Sequence, residues 1–416
     1  MIIHSKAKIY NLLRWSEKWA KTDMIYLVKG GFWLGLGQFI SALSALILAI
    51  AFANLLPKET YGTYKYILSL CGILAIPTLN GINVAVMRAV SQGKEGSFIT
   101  GLKTKISWGL LGGAGSLLLG VYYYIAQNQD LALALLIAAF FLPLMDSFNI
   151  YHSLLQGKKD FRSSTRYSIL TQIFSVLSLV LTIYFTKNLF IILLAYFLSG
   201  TILRIIFCLL ALKKEKLNDR QDPGAISYGK HLSLILIINS IAFYADRLII
   251  FHFLGAIDVA IYSVAIAPAE QIKALVNNIY NLAFPKFSQK SKEENRRTIR
   301  SKTLKLLLIV IAMMLAYIIA APFLFSIFFP SYLEAAAYSQ FYALSLIGAV
   351  VILPYTILES TADQKNLYHY NTTTSLIQII LMLVMAPICG LWGIILARII
   401  GRLFNLWFCD YLISKN

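Results

Sequence analysis

Nine ionisable residues lie inside stretches that are otherwise apolar: Lys65, Arg204, Arg247, Lys273, Arg398 and Arg402, against Asp146, Asp246 and Glu270. A charged side chain at mid-bilayer costs roughly 2.5–3.5 kcal/mol on insertion scales, so such residues face a cavity or pair with one another. The chemistry open to them is non-covalent. Guanidinium groups compensate phosphate well, because their planar fork meets two phosphate oxygens at once. Carboxylates in the same setting take up H+ or a small cation. Spacing refines the list. Arg398 and Arg402 are four apart and stack on one helix face, where they repel unless an anion or water stands between them. Glu270 and Lys273, three apart, can form an internal ion pair. Asp246 and Arg247 point about 100° apart around a helix, so they cannot simply neutralise each other. Asp146 follows Pro143 by three residues, and both a helix–helix hydrogen bond and a proton or cation site are open to it. Lys65 sits one turn inside its span and can snorkel out. No catalytic residue, metal site or cofactor is indicated. There is no G-x-x-x-x-G-K-[ST] loop to cradle ATP phosphates. Cys71, Cys208, Cys389 and Cys409 have neither metal-ligand nor redox spacing and read as small packing residues.

The elements that must carry these charges are membrane helices. The chain has 416 residues, 58% hydrophobic and only 13% charged, yet a formal net charge of +18; its mean hydropathy is +0.70. A soluble chain carries about 25% charged residues. A soluble enzyme of this length would lack a water-facing surface, disorder requires low hydrophobicity, and a nucleic-acid binder would match the charge but not the hydropathy. The class left is an all-α polytopic membrane protein. A crossing needs about 20 mostly apolar residues, and twelve such runs are predicted: 30–54, 62–87, 106–127, 131–156, 167–185, 189–212, 231–254, 259–284, 304–329, 336–358, 371–390 and 392–412. Residues 1–29 hold no apolar signal region. Ile9, Leu12, Leu13 and Trp19 fall at roughly helical spacing, so this arm reads either as an amphipathic helix on the membrane surface or as a partly ordered tail.

Lysine and arginine in the loops set orientation. With both termini in the cytoplasm, and Lys305 at the inner edge of its run counted to that side, 29 basic residues fall on the cytoplasmic side, only Lys58 and Lys187 on the outer side, and six deeper within spans. The +18 divides into +17 cytoplasmic, +3 within the membrane and −2 outside. Most of the charge therefore faces anionic headgroups, and the +3 is the part that bears on a ligand. Outer loops are too short for an enzyme domain. Gly109, Gly112, Gly113 and Gly115 in the third span let helices approach closely. Prolines 77, 143, 268, 322, 354 and 387 fall within spans, where they kink helices.

The polar segment 213–230 divides the spans six and six, giving an N-terminal arm (1–29), a first bundle (30–212), the linker (213–230) and a second bundle (231–416). A shift of 198 residues aligns the first hairpins of the two halves without gaps. Leu56 falls on Leu254, Tyr64 on Tyr262, Asn80 on Asn278, Asn83 on Asn281, Arg88 on Lys286 and Glu95 on Glu293. A weaker echo puts Asp160 on Asp363. Halves of even span number enter the membrane in the same direction and are related by an axis along its normal, as in many transporters.

The segments KGGFWLGLGQFISALSALILAIAFANLLPKETYGTYKYILSL and NGINVAVMRAVSQGKEG resemble polysaccharide-biosynthesis flippases of the Wzx type, and ADRLIIFHFLGAIDVAIYSVAIAPAEQI is similar to the same family's seventh and eighth spans. The loop LLQGKKDFR fits as well. The resemblance implies the multidrug/oligosaccharidyl-lipid/polysaccharide exporter superfamily, with two six-helix bundles in a V around a central cavity. It implies a flippase that moves an undecaprenyl-diphosphate-linked oligosaccharide, such as an O-antigen or capsule unit, between leaflets of the bacterial cytoplasmic membrane by ion- or potential-driven alternating access. It implies polysaccharide polymerase and chain-length regulator partners, and no nucleic acid. On this reading Arg88, at the inner end of the second span, contacts the diphosphate. Arg204, Arg247, Lys273, Arg398 and Arg402 are cavity cations, and Asp146, Asp246 and Glu270 couple to H+ or Na+. Asn80, Asn83, Gln172, Asn239, Tyr244 and Asn277 face either sugar or neighbouring helices. The rivals are a cation-coupled multidrug exporter of the same superfamily, which would favour acidic cavity residues, and a membrane polysaccharide polymerase or ligase.

Overall fold

The computed structural model describes residues 24–277, 292–360 and 364–415, and every regular element among them is helical. In the first half these are α1 (Met24–Leu55), α2 (Lys58–Leu74), α3 (Gly81–Ser91), α4 (Ser97–Ile125), α5 (Gln129–Phe148), α6 (Tyr151–Gly157), α7 (Phe161–Phe185) and α8 (Leu189–Lys214). In the second half they are α9 (Ala225–Phe253), α10 (Ala256–Asn277), α11 (Lys292–Phe328), α12 (Ala335–Ala343), α13 (Ile352–Ser360) and α14 (Gln364–Lys415). Short polar residues set several starts. The Asn128 side chain accepts from Leu131 N, Asp160 from Ser163 N, and Asn188 from Phe190 N and Ile191 N, satisfying amides that the first helical turn leaves free.

Among the described residues ten helices are long and apolar enough to cross a bilayer, and the α2/α3 pair, bent by 41°, makes an eleventh crossing. One of the ten cannot be a single crossing. At 52 residues α14 would run about 78 Å if straight, against a hydrocarbon core of about 30 Å. It is broken at Gly390, whose φ of 57° and ψ of −138° are not helical and lie in a region glycine enters without steric cost. The two arms then run back along each other, and Gln378 Nε2 donates to Ala397 O at 3.2 Å. That makes twelve crossings, matching the twelve apolar runs to within a few residues at most ends. The main departures are Met24, Ser97, Phe161, Ala225, Lys292 and Gln364, where helices begin six or more residues before the apolar runs.

Of the six span prolines, Pro77 sits in the 3₁₀ turn Ile76–Thr78 that bends the second crossing, where Leu79 has a φ of 57°. Pro143, Pro268 and Pro322 lie within continuous helices. The tenth crossing is interrupted by an eight-residue 3₁₀ stretch, Leu344–Val351, longer than the three or four residues usual for that geometry. The glycines of α4 do bring helices together: a Cβ on Gly112 would lie 2.2 Å from Leu74 O. Large side chains such as Ile319 and Phe185, 81% and 80% exposed, form the outer face expected against lipid.

The halves meet along α2 and α3 on one side and α9 and α10 on the other. Near the start of α2, a Cβ on Gly62 would fall 1.7 Å from Ala256 O, Asn54 Nδ2 donates to Phe328 O at 2.8 Å, and Lys58 pairs with Glu334 at 2.5 Å. Near the start of α3, Gly81 N donates to Ser233 Oγ at 2.9 Å. The linker is stitched to the first half: Gly96 N donates to Arg220 O, and Asn218 Nδ2 to Gly93 O, both at 2.9 Å. Beside it Lys158 pairs with buried Glu95. Asn278, Asn281, Lys286 and Asp363, named above as repeat partners, lie outside the described residues.

Candidate functional site

Between these two contact zones lie two adjoining cavities that share Asn239 and Phe243 of α9. The first-half lobe, about 360 Å³, is lined by Asn80, Asp146, Asn239, Ser240, Phe243 and Tyr244 together with Gly72, Ala75 and Ile76. The second-half lobe, about 340 Å³, is lined by Lys273, Arg398 and Arg402, by the amides of Asn239, Asn277, Asn371, Gln378 and Asn405, and by Tyr355 and Tyr370 among others. Each falls within the usual size range of small-molecule sites, about 300–1,000 Å³.

The second-half lobe is built around two ion-pair centres. Asp246, 1% exposed, accepts from Arg398 Nη2 at 2.7 Å and from Tyr262 OH at 2.9 Å, and Arg247 Nη1 stands 3.7 Å from its other oxygen. Glu270 accepts from Arg402 Nη2 and from Tyr342 OH, the latter at 2.5 Å, with Lys273 Nζ at 3.5 Å. Arg402 also donates to Ser345 Oγ at 2.7 Å and to Tyr342 OH at 2.9 Å. The 3₁₀ stretch makes this possible. It offers Ser345, and at Gly348 it has no side chain where a Cβ would lie 2.5 Å from Arg402 Cβ. So the two stacked arginines do not face each other bare. Each has its own carboxylate from a neighbouring helix. Four cations (Arg247, Lys273, Arg398, Arg402) surround two carboxylates, a surplus of two positive charges; of these six, Lys273, Arg398 and Arg402 line the lobe, whereas Arg247, expected as a cavity cation, stands behind it with Asp246 and Glu270 and lines neither lobe. The Nε atoms of Arg247 and Arg398 are buried without a hydrogen-bond partner among the described residues.

The other named residues lie elsewhere. Asp146 lines the first-half lobe. Arg204 is partly buried on α8 within electrostatic reach of Tyr151 and Tyr196. Lys65 sits over the Tyr61 ring at 5.5 Å. Arg88 is exposed on α3 over the Tyr228 ring, 5.5 Å from its centroid, and lines neither lobe. Two features escape the sequence reading. Lys105 falls one residue before the predicted third span and counts there as a loop charge. It is instead fully buried on α4, with Nζ donating to Asn80 Oδ1 at 3.3 Å and Asp146 within electrostatic reach. The second is the run Asn371, Thr374, Ser375 and Gln378, which all line the second-half lobe. Their i, i+3, i+4, i+7 spacing is a polar face of a helix. It was readable in NTTTSLIQ but hidden by attention to charge alone.

The chain can now be set beside known proteins. Residues 27–291 match the family model described as polysaccharide biosynthesis protein. Among solved structures, an inward closed conformation of the lipid II flippase MurJ aligns with a TM-score of 0.72 at 14% identity, covering 91% of this chain and 87% of that one. An inward-facing multidrug resistance MATE family transporter of the MOP superfamily aligns with a TM-score of 0.65 at 14% identity, covering 90% and 95%. A Pyrococcus furiosus MOP superfamily transporter, for which a binding pocket of reversed polarity suggests a different function, gives 0.57 at 14% identity, covering 94% and 96%. No curated protein sequence matches. At these identities the likenesses show the fold alone, one that this chain shares with the aligned flippase and transporters.

Proposed function

The chain belongs to the polysaccharide biosynthesis protein family, and from that premise we propose that it is a flippase for a polyprenyl-diphosphate-linked oligosaccharide. The observation that carries the reading is the pair Arg398 and Arg402, on one face of one helix, lining a cavity with a surplus of positive charge. A diphosphate brings at least two negative charges and acceptor oxygens suited to the arginine fork. Its arrival would take the place of Asp246 and Glu270 as partner. The amides and tyrosines around the arginines suit a glycan, and the apolar outer face suits a bilayer. The membrane is the bacterial cytoplasmic membrane, with both termini on its inner side, as the loop charges favour. The lipid carrier is undecaprenyl diphosphate, and the cargo an O-antigen or capsule unit destined for a polymerase and its chain-length regulator.

The mechanism is alternating access. The α2–α10 contact around Gly62 and the α3–α9 contact around Gly81 sit on opposite sides of the two lobes. Opening one while keeping the other exposes the cavity to one leaflet at a time. Asp246, Glu270 and Asp146 are the groups through which H+ or Na+ would drive the cycle, because protonating the first two frees Arg398 and Arg402 for the substrate. A cation-coupled multidrug exporter would instead need a surplus of carboxylates around its cavity, opposite to the second-half lobe.

The test is a flipping assay in proteoliposomes with undecaprenyl-diphosphate-linked sugar. Arg398, Arg402, Lys273, Arg247 and Arg88 are changed singly to Ala and to Lys. Loss with Ala at Arg398 and Arg402, with partial rescue by Lys, is the expected result. Wild-type rates in all of these variants would sink the cationic cavity.

A further inference from the structure

Within the second-half lobe the charged and the neutral polar groups are not mixed. They are sorted along the two arms of α14. Arg398, Arg402 and Asn405 follow at i, i+4, i+7 on the second arm, and Asn371, Thr374, Ser375 and Gln378 at i, i+3, i+4, i+7 on the first. The arms run antiparallel. Gln378 bonds Ala397 O next to Arg398, and Tyr370, next to Asn371, stacks with Phe408 at 6.2 Å. The lobe therefore has a cationic end near Gln378 and Arg398 and a neutral, amide- and hydroxyl-lined end near Asn371 and Asn405. Seven helical residues separate the ends by about 10 Å. Polar stripes on membrane helices face protein or a cavity rather than lipid, and this one faces the cavity with hydrogen-bonding capacity left over. Asn371 spends one amide hydrogen on Leu367 O, and Thr374 its hydroxyl hydrogen on Tyr370 O. The oxygens of both side chains stay available, while the second amide hydrogen of Asn371 is directed at the Tyr355 hydroxyl. Asn405 Oδ1 is buried without a hydrogen-bond partner among the described residues. Tyr355 and Tyr370, 5.4 Å apart, supply aromatic rings at this same end.

We propose that the Asn371–Thr374–Ser375 face of α14, with Asn405 opposite, is the subsite that recognises the sugar adjoining the diphosphate, while Arg398 and Arg402 hold the diphosphate itself. The inference rests on the flippase reading and adds where selectivity resides. The ligand chemistry is that of a neutral pyranose with vicinal hydroxyl or acetamido groups. Such groups both donate and accept, as the stripe does, and a sugar's apolar face suits a tyrosine ring. The nearest charged lining residue, Arg402, is one turn from Asn405 and already pairs with Glu270, so the neutral stripe itself offers an anionic sugar no ion pair.

The test measures binding to purified full-length protein in lipid nanodiscs. The probes are undecaprenyl diphosphate alone, and the same lipid bearing N-acetylglucosamine or galactose. In the wild type at least one sugar-bearing probe should bind about tenfold more tightly than the bare lipid, the effect of one or two added neutral hydrogen bonds. Asn371→Ala and the near-isosteric Thr374→Val should remove most of that gain and leave the bare lipid's Kd unchanged. Melting temperature reports folding, and Thr374→Val keeps the volume should Asn371→Ala unfold. A sugar-dependent gain that survives in both variants, or no gain with any probe, overturns the proposal. If wild-type protein fails to bind bare undecaprenyl diphosphate, or binds it equally after Arg402→Ala, the flippase reading fails first and this one falls with it.

Discussion

The first hairpins of the two halves share a register but differ in chemistry. Under the 198-residue shift, Tyr64 and Tyr262 occupy equivalent positions and both are buried. Tyr64 stacks on Phe52 at 4.7 Å and lies edge-on to Tyr196, whereas Tyr262 donates to Asp246. The positions equivalent to Asp246, Arg247, Glu270 and Lys273 are Leu48, Ala49, Gly72 and Ala75. One half thus packs with apolar and small residues where the other holds an ion-pair network. Where the second half has Glu270, the first has a gap filled by Tyr244, since a Cβ on Gly72 would lie 2.3 Å from its ring. The aligned stretch is an apolar wall in one half and carries an ion-pair network beside a cavity in the other. What charge the first half does bring to the cavity wall comes from outside the aligned hairpin, through Asp146, with Lys105 buried behind Asn80.

The largest expected effect lies in the network. Arg398→Ala leaves Asp246 buried without its main partner and should cost about 3–5 kcal/mol of stability, read as a fall in melting temperature in detergent. The double variant Asp246→Ala/Arg398→Ala should lose less than the sum of the singles. Leu48→Ala, at the place equivalent to Asp246, should cost less than Arg398→Ala; an equal cost would erase the contrast. Next comes packing. Gly348→Ala presses on Arg402 backbone and should cost about 1–3 kcal/mol, while Gly72→Ala meets only the Tyr244 ring, which can swing aside, and should cost less. Both are read in the same melts. Lys105→Met should cost about 1–3 kcal/mol, the penalty of leaving the Asn80 acceptor without its donor, less than Arg398→Ala because no buried carboxylate is stranded, and it should slow flipping by releasing Asn80. Unchanged flipping would confine Lys105 to a packing role.

The smallest effect is at the linker. The hydrogen bond from Lys158, more than any other contact, holds the Glu95 carboxyl below its ordinary range. A depressed folded pKa gives stability that is present above the unfolded value, about 4.3, and is lost as pH falls towards the folded one. Melting temperature should therefore drop less between neutral and acid pH in Glu95→Gln than in the wild type. Parallel curves would show that this pair adds nothing to linker docking.

Much of the architecture was legible in sequence because bilayer physics is demanding. The apolar runs follow from the cost of exposing polar groups to lipid. The break at Gly390 was legible too, since two runs met there. The site was less so. Charge flagged Asp246, Glu270, Lys273, Arg398 and Arg402, but spacing along one chain cannot show that Asp246 meets Arg398 across 152 residues. Lys105 was missed because an apolar run fixes a helix end only to within a few residues. The stripe from Asn371 to Gln378 was missed because its residues are neutral and cost hydropathy little. Arg88 drew attention from its place at a helix end, yet it stands over Tyr228 outside both lobes.

The most direct test is a structure of the protein with undecaprenyl-diphosphate-linked sugar bound in nanodiscs, determined by electron cryo-microscopy. The account predicts diphosphate density between Arg398 and Arg402, with Asp246 and Glu270 drawn away from at least one of them. Density in the first-half lobe beside Asp146, or both arginines still paired to their carboxylates with the head group elsewhere, would contradict it.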